Sequence, residues 1–160
     1  MIGISACLLG VPCRYDGKSK IDRRALDLFL KGVPLFPICP ESWGGLSSPR
    51  PPAEIIGGDG EAVWSGSARV MDEMGKDLTD FFKKGARKVL ELSRDLPLEV
   101  FILKERSPSC GVNFIYDGTF SGKVKKGSGV LAYILKENGY KVISELEIDC
   151  IYEILGDIHE

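Results

Sequence analysis

Short apolar runs alternate along the chain with amphipathic segments, and loops containing Gly or Pro separate them. Apolar runs of four to eight residues between turn signals are typical of buried strands, whereas apolar residues at helical spacing indicate helices. The predicted core strands are IGISA (2–6), VPLFPI (33–38), LEVFIL (98–103) and KVISE (141–145). Strands that alternate with helices predict an α/β fold with an open, largely parallel sheet, flanking helices and β-hairpin insertions.

Helices are predicted between the strands from apolar periodicity and from end signals. The segments are 21–32, about 73–94, 128–139 and a short helix after Asp149. Asp22 and Ser128 stand where N-cap residues are expected. Gly32 and Gly139 stand where the first and third of these helices are expected to stop.

Two hairpins are predicted outside the core strands. One is EIIGGDGEAVW (54–64), with its turn at residues 57–60, and the other is NFIYDGTFSGKV (113–124). Both place Gly and Asp, the residues that favour tight turns, between apolar or β-branched residues.

Composition narrows the class of protein. A chain of 160 residues is expected to form a single domain, residues 1–160. Its 21 basic and 23 acidic side chains give a net charge of −2, which argues against nucleic acid as the partner. The apolar start, MIGISACLLGVP, lacks a basic flank and is too short to span a bilayer, so we expect a cytoplasmic protein without a membrane segment.

Five cysteines in a reducing compartment indicate metal binding, catalysis or burial and not disulfides. Cys7 directly follows the first predicted strand, Cys39 follows the second, and Cys110 lies in the loop after the third. Ligands of open α/β sheets gather beyond the carboxyl ends of the strands. If the three strands are parallel neighbours, their thiols converge there.

Converging thiolates have two main interpretations. Zinc takes three sulfurs with a further ligand or water, and a closed site of four cysteines is structural. A four-iron cluster held by three thiolates leaves one iron open. Cys13 is a fourth ligand, a resolving thiol or a bystander, and Cys150 is expected to pack on the apolar face of the terminal helix.

Several polar residues stand close to these cysteines. Glu41 favours a helix N-terminus after Pro40, and it is equally a carboxylate able to move protons near a metal. Ser107 and Ser109 form turn hydrogen bonds, or they bind substrate and assist proton transfer. Lys104 is a solvated charge or an anion-binding group.

The segment after the first strand offers further binding groups. RYDG first predicts a turn, yet Arg14, Tyr15 and Asp16 can line the same crevice. GGLSSPRPP, which contains Arg50, lacks the spacing of a phosphate-binding loop.

Four motifs in one order resemble the DUF523 family, which includes the thiouracil desulfidases. They are ISACLLGVPCRYDGKSK, CPESWGGLSSPRPP, SGSARVMDEMGKDLTDFFKKGA and FILKERSPSCG. The resemblance runs from about residue 2 to residue 135. Two positions depart from the common pattern: Lys18 replaces a second glycine, and GGLSSPR has serine where proline is common.

The resemblance implies an oxygen-sensitive [4Fe-4S] cluster held by Cys7, Cys39 and Cys110. It assigns catalysis to Glu41 and Ser107, and Cys13 matches no ligand in the pattern. The implied reaction is desulfuration of a thiolated nucleobase or similar small thiocarbonyl compound, from C=S to C=O, without electron transfer. The alternatives are sulfur transfer to a nucleoside or tRNA and a non-catalytic zinc module.

Overall fold

The computed structural model describes residues 1–159, which contain eight strands and six α-helices. The strands are β1 (Ile2–Ser5), β2 (Leu35–Ile38), β3 (Ala53–Ile56), β4 (Arg69–Asp72), β5 (Val100–Leu103), β6 (Phe114–Tyr116), β7 (Val124–Lys126) and β8 (Lys141–Ser144). The α-helices are α1 (Arg23–Leu30), α2 (Pro40–Trp43), α3 (Gly60–Ser65), α4 (Thr79–Asp95), α5 (Val130–Glu137) and α6 (Ile151–His159). Two 3-10 helices, Ala6–Leu9 and Glu145–Cys150, directly follow β1 and β8.

The core sheet has the strand order β2-β1-β5-β8, and each neighbouring pair is parallel. In register, Ile2 of β1 faces Leu35 of β2 on one side and Val100 of β5 on the other. Because the four strands share one direction, their carboxyl ends lie at one edge of the sheet. The pairs β3–β4 and β6–β7 are antiparallel and separate from this sheet. The predicted fold class is therefore confirmed.

The two faces of the sheet are covered by different helices. Phe101 and Leu103 of β5 pack in a cluster with apolar residues of α4 and α5. Val100 and Ile102 pack in a second cluster with residues of α1 and α6. Side chains alternate between the faces of a strand, so a strand covered on both faces is continuously apolar. This explains why LEVFIL carries such a strong strand signal.

Helix α2 lies against α4 with no side chain between their backbones. A Cβ added at Gly85 of α4 would overlap the carbonyl oxygen of Pro40, and a Cβ added at Gly44 would overlap the carbonyl oxygen of Phe81. Glycine allows this approach because it has no side chain beyond hydrogen. The contact fixes the position of Cys39 and Glu41 relative to the main helix of the domain.

The predicted hairpin at 54–64 is wrong. Residues Ala53–Ile56 form β3, which pairs with β4 across an intervening helix, α3. The carboxylate of Asp59 accepts a hydrogen bond from the N–H of Ala62 at 3.1 Å, so Asp59 caps α3 instead of closing a turn. The same Asp-Gly pair serves a turn or a helix start, and the pairing of β3 with β4, in which Ile56 faces Arg69, decides between them. The predicted hairpin at 113–124 is confirmed as β6–β7, although β7 extends to Lys126.

Other helix ends also differ in part from the predictions. Asp22 caps α1 by accepting from the N–H of Arg24, as expected, whereas the N-cap of α5 is Gly129 and not Ser128. Helix α4 begins at Thr79, because β4 and a turn occupy the preceding residues.

Cys150 is exposed and ends a 3-10 helix, so its predicted packing on α6 is wrong. No helix within residues 1–159 combines the length and the apolar character needed to cross a bilayer.

The close contact between α2 and α4 leads to a prediction for Gly85→Ala. The new methyl group must displace the carbonyl of Pro40, so we expect the free energy of unfolding to fall by about 1–3 kcal/mol or more. Gly156→Ala is the matched control, because a Cβ at that helical position meets no atom within 4 Å. The control should raise the free energy of unfolding by about 0.5–1 kcal/mol. Urea denaturation measures both, and equal effects of the two substitutions would contradict the contact.

Candidate active site

A cavity of about 510 Å³ opens at the carboxyl edge of the core sheet. Its lining includes Ser5 at the end of β1, Ile38 at the end of β2, and Glu145, which directly follows β8. The segment after β5 contributes a continuous run of residues, 104–110. A cavity of this size and position is typical of small-molecule sites in open α/β sheets.

Cys7, Cys39 and Cys110 all line this cavity. Cys7 lies in the 3-10 helix after β1, Cys39 is the N-cap residue of α2, and Cys110 lies in the loop between β5 and β6. Cys7 and Cys110 are buried, Cys39 is partly buried, and all three are free thiols. The structure thus brings together the cysteines that follow three strands, and their role as ligands stays a prediction.

Cys13 joins this group of thiols. The Cys39 thiol donates a hydrogen bond to Ser42 Oγ at 3.2 Å, while the neighbouring Cys13 thiol, and then burial, raise the pKa of Cys39 far above its usual range. The Cys39 thiol lowers the pKa of Cys13, but the Cys7 thiol and burial outweigh this effect and raise that pKa to about 11. Burial raises the pKa of Cys110 to about 12. The thiols of Cys13, Cys39 and Cys110 are therefore neutral at pH 7, and binding a metal must displace their protons.

The donor set suits soft metals in its chemistry. Thiols from three chain segments reach one cavity, and thiolate is the ligand that iron–sulfur clusters and zinc share. Residues 1–159 contain no group of three or more His, Cys, Asp or Glu side chains placed to hold a single metal ion. Ligands of a cluster bind different iron atoms and need not converge on one point. The three cysteines are thus chemically suited to a cluster.

Glu105 shapes the loop that carries Cys110. Its carboxylate is buried, and Oε1 accepts hydrogen bonds from the N–H groups of Val112, Asn113 and Phe114 at 2.7, 2.9 and 3.0 Å. Charge-assisted bonds of this kind satisfy backbone donors that burial would otherwise leave unpaired. The carboxylate therefore anchors residues 112–114, just after Cys110, to the segment that follows β5.

Ser107 and Ser109 form a directed pair of hydroxyls. Ser107 Oγ accepts from the N–H of Ser109 at 3.2 Å and from the N–H of Cys110 at 3.1 Å. A hydroxyl has two acceptor positions and one proton, so Ser107 has only its proton left to give. The two hydroxyl oxygens are 3.0 Å apart. Ser107 therefore donates to Ser109, which leaves the proton of Ser109 free for a further acceptor.

That acceptor is Glu41. Ser109 Oγ donates to Glu41 Oε1 at 2.9 Å, whereas Ser107 Oγ is 3.5 Å from the same atom. The longer distance is at the limit of a hydrogen bond. Glu41 lies in the first turn of α2 after Pro40, where a carboxylate favours the start of a helix, and it also lines the cavity. Its second oxygen, Oε2, forms an ion pair with Arg50.

Arg14 and Tyr15 line the cavity, but Asp16 does not. The guanidinium carbon of Arg14 lies 5.6 Å from the centre of the Tyr15 ring, and Nη1 lies 3.5 Å from Asp16 Oδ2. Asp16 Oδ1 also accepts from the N–H of Lys18 at 3.0 Å. Asp16 therefore lies outside the cavity lining: an Asp in an Asp-Gly turn bonds the backbone two residues on, and here it also pairs with Arg14, so its role in substrate binding stays a prediction.

Lys104 lines the cavity with its charge already compensated. Nζ donates to the carbonyl oxygen of Glu105 at 3.0 Å and lies 3.0 Å from Glu145 Oε1. An ammonium group has three N–H donors. These two contacts hold the ammonium group in the cavity lining. Its third N–H is left to bind a ligand.

The connection between β6 and β7 supplies an aromatic part of the lining. Glu54 of β3 is buried and accepts from the N–H groups of Gly118 and Phe120 at 2.9 and 3.2 Å. Phe120 has a φ of 54°, a left-handed conformation that is unfavourable for a bulky residue. The carboxylate of Glu54 thus offsets local strain, and Phe120 and Tyr116 both line the cavity.

Sequence reasoning missed several of these residues. The segment around Arg50 lacks the spacing of a phosphate-binding loop and carries no other signal, and Glu54 and Phe120 lie in predicted hairpins without a predicted role in the site. Cys13 carried a signal, because it is only six residues from Cys7. The ion pair of Arg50 with Glu41 joins a loop to helix α2 and had no signal in spacing.

A thiol-rich cavity with a carboxylate and two hydroxyls at the end of a parallel sheet defines a candidate metal-dependent enzyme of the α/β class. The family model of 2-thiouracil desulfurase matches residues 2–147. The chain belongs to this family, and the predicted resemblance to DUF523 is confirmed.

Two relatives are similar over nearly the whole chain. The uncharacterized protein YbbK of Bacillus subtilis is 47% identical over 151 residues, which cover 94% of this chain and 99% of YbbK. The solved structure of a [4Fe-4S]-dependent thiouracil desulfidase, TudS, is similar with a TM-score of 0.84 and 39% identity, and the match covers 97% of each chain.

The raised thiol pKa values predict the order of alkylation in metal-free protein. With iodoacetamide at about pH 8, exposed Cys150 should react first, and Cys39 and Cys110 should react last, because their raised pKa values leave almost no thiolate and Cys110 is also buried. Peptide mass spectrometry over time measures each rate. In urea the five cysteines should react at similar rates, which controls for local sequence. Equal rates for Cys110 and Cys150 in the folded protein would contradict the burial of Cys110.

Proposed function

We propose that this protein is a [4Fe-4S]-dependent desulfidase. It replaces the sulfur of a thiolated nucleobase or similar small thiocarbonyl compound by oxygen and releases hydrosulfide. The family match and the activity named for TudS support this proposal. The observation that carries it is the hydrogen bond from Ser109 to Glu41 at 2.9 Å, beside three cysteines of the same cavity.

Cys7, Cys39 and Cys110 would hold the cluster, since each supplies a thiol to the cavity from a different chain segment. When bound, a cluster with three protein ligands supplies an open iron, which accepts a soft sulfur and polarises the C=S bond. Cys13 lies beside these thiols without a ligand role in this proposal. The three-ligand arrangement requires that each of the three cysteines be retained.

Glu41 acts as the proton acceptor. Water adds to the thiocarbonyl carbon as Oε1 takes one of its protons, and the second proton passes to the sulfur as the C=O bond forms, after which Oε1 gives its proton to solvent. The C–S bond breaks with its electron pair on sulfur, which departs as hydrosulfide, so no electron is gained or lost overall. Ser109 Oγ lies 2.9 Å from Glu41 Oε1 and 3.5 Å from Cys110 Sγ. The Ser109 and Ser107 hydroxyls therefore form a path for the proton between the carboxylate and the thiol side of the cavity.

The aromatic residues of the lining suit a planar ring. Tyr15, Tyr116 and Phe120 all line a cavity of about 510 Å³, which is large enough for a single heterocycle. Aromatic faces stack on nucleobases with little dependence on the identity of the base. Arg14 and Lys104 add hydrogen-bond donors for exocyclic oxygens. The substrate of this proposal is a small molecule and not a large RNA, in keeping with the net charge of −2.

Replacing Glu41 separates chemistry from cluster binding. Glu41→Ala and Glu41→Gln should lower kcat for 2-thiouracil by about 10² to 10⁴, because the proton acceptor is lost. Iron content and visible absorption should stay at the wild-type level, since no ligand changes. Cys7→Ser, Cys39→Ser and Cys110→Ser should instead lose the cluster. Wild-type turnover by Glu41→Ala would overturn the role of Glu41.

The two serines should differ in a way that the directed hydroxyl pair explains. Ser109→Ala removes one hydroxyl of the proton path and should lower kcat by roughly 10² while the cluster is retained. Ser107→Ala also removes the acceptor of the Cys110 N–H, so it should lower cluster retention as well as kcat. Anaerobic kinetics and iron analysis measure both effects. A Ser109→Ala enzyme with full activity would contradict the proton path through the Ser109 hydroxyl.

A further inference from the structure

Arg50 is a buried charged residue that the proposed chemistry does not use. Its side chain is only 7% exposed, and it lines the same cavity as Glu41. A guanidinium in such a position must have its charge and its donors matched, because an unpaired buried charge is strongly destabilising. Its partners therefore show what it does.

The partners of Arg50 come from three segments around the site. Nη1 donates to the carbonyl oxygen of Ser47 at 2.9 Å and to that of Cys13 at 3.4 Å. The backbone N–H of Arg50 donates to the carbonyl oxygen of Tyr15 at 2.7 Å. Nη2 donates to Glu41 Oε2. The guanidinium is thus fixed by the backbone before it meets the carboxylate.

The two oxygens of Glu41 have different partners as a result. Oε2 is held by Arg50, and Oε1 is left to accept from Ser109 at 2.9 Å. A rigid, planar donor on one oxygen sets the rotation of the whole carboxylate. Without it, the carboxylate is free to turn towards other donors in the cavity.

We propose that Arg50 is the positioning residue of this site: it holds Oε2 of Glu41 so that Oε1 faces the Ser109 and Ser107 hydroxyls. The inference rests on the proposed function, because Glu41 is the proton acceptor there. Arg50 does not touch the reacting atoms, and its effect passes through Glu41. It should therefore change kcat and leave KM for the substrate nearly unchanged.

Lysine should replace Arg50 only in part. An ammonium keeps the positive charge, but it lacks the planar fork that bonds Ser47, Cys13 and Glu41 at once. For 2-thiouracil, Arg50→Ala should lower kcat by about 10- to 100-fold and Arg50→Lys by less. KM should change by less than about threefold in both variants, and the cluster content should match the wild type.

Added guanidinium gives a test that a general loss of structure would not pass. The side chain of Arg50 lines an open cavity, so guanidinium at non-denaturing concentrations can enter the space left in Arg50→Ala and restore part of kcat. Arg69→Ala is the matched control: Arg69 also pairs with a carboxylate, Asp77, but on the surface and away from the cavity. The control should keep its kcat and show no response to guanidinium.

A second readout follows Glu41 without turnover. Carbodiimide coupling of an amine to Glu41, read by peptide mass spectrometry of anaerobic protein, should be slow in the wild type and several-fold faster in Arg50→Ala. Added guanidinium should slow it again. Unchanged labelling, or faster labelling with wild-type kcat, would overturn the positioning role. A wild-type enzyme that releases hydrosulfide from neither 2-thiouracil nor other small thiocarbonyl compounds would overturn the proposed function, whereas the labelling still decides whether Arg50 holds the carboxylate.

Discussion

The parallel alignment of β1, β2, β5 and β8 is the constraint on which the rest of the site depends. It brings the carboxyl ends of strands that are distant in sequence to one edge, where Cys7, Cys39 and Cys110 line a common cavity. The alignment is stable because β5 is buried on both faces and packs against helices on each side. Helix α2 is then fixed on α4 by a backbone contact that only glycine permits. Cys39 and Glu41, two residues apart, thus take their positions from the core and not from a flexible loop.

Around that edge, the polar groups form one connected network. Backbone carbonyls fix Arg50, Arg50 holds Glu41, and Glu41 accepts from Ser109, which in turn accepts from Ser107. The backbone N–H of Cys110 bonds Ser107 Oγ, so the carboxylate and the cysteine loop are coupled through two hydroxyls. Such a network is preorganised, because each member has its partners before any substrate arrives. In the proposed reaction this order sets the direction in which protons move.

The sequence predicted those parts of the structure that depend on local pattern. Apolar runs identified the core strands, and Asp22 identified the start of α1. The hairpin predicted at residues 54–64 is wrong because Asp59 serves equally well as a turn residue or a helix cap. The distant pairing of β3 with β4 decides which of the two structures forms. The single-domain organisation and the cytoplasmic location stay predictions.

Within the site, the positions of three cysteines after predicted strands indicated that they lie in one cavity. The hydrogen-bond partners of Glu41 could not be predicted in this way. Ser109 and Ser107 are two residues apart, and spacing alone cannot show which hydroxyl donates to Oε1. The ion pair of Arg50 depends on how the loop from Gly44 onward folds back over α2. Asp16 bonds within its own turn and outside the cavity lining, and the RYDG pattern alone cannot separate a turn residue from a cavity residue. Long-range contacts of this kind leave no periodic trace in a single sequence.

The most direct measurement of the central claim is iron, zinc and acid-labile sulfide analysis of protein purified without oxygen. The account predicts about four iron and about four sulfide per chain, as expected for a [4Fe-4S] cluster. Zinc at about one per chain without sulfide would contradict it. In that case the thiols of Cys7, Cys13, Cys39 and Cys110 would form a closed structural site, and Glu41 would be left without the chemistry proposed for it.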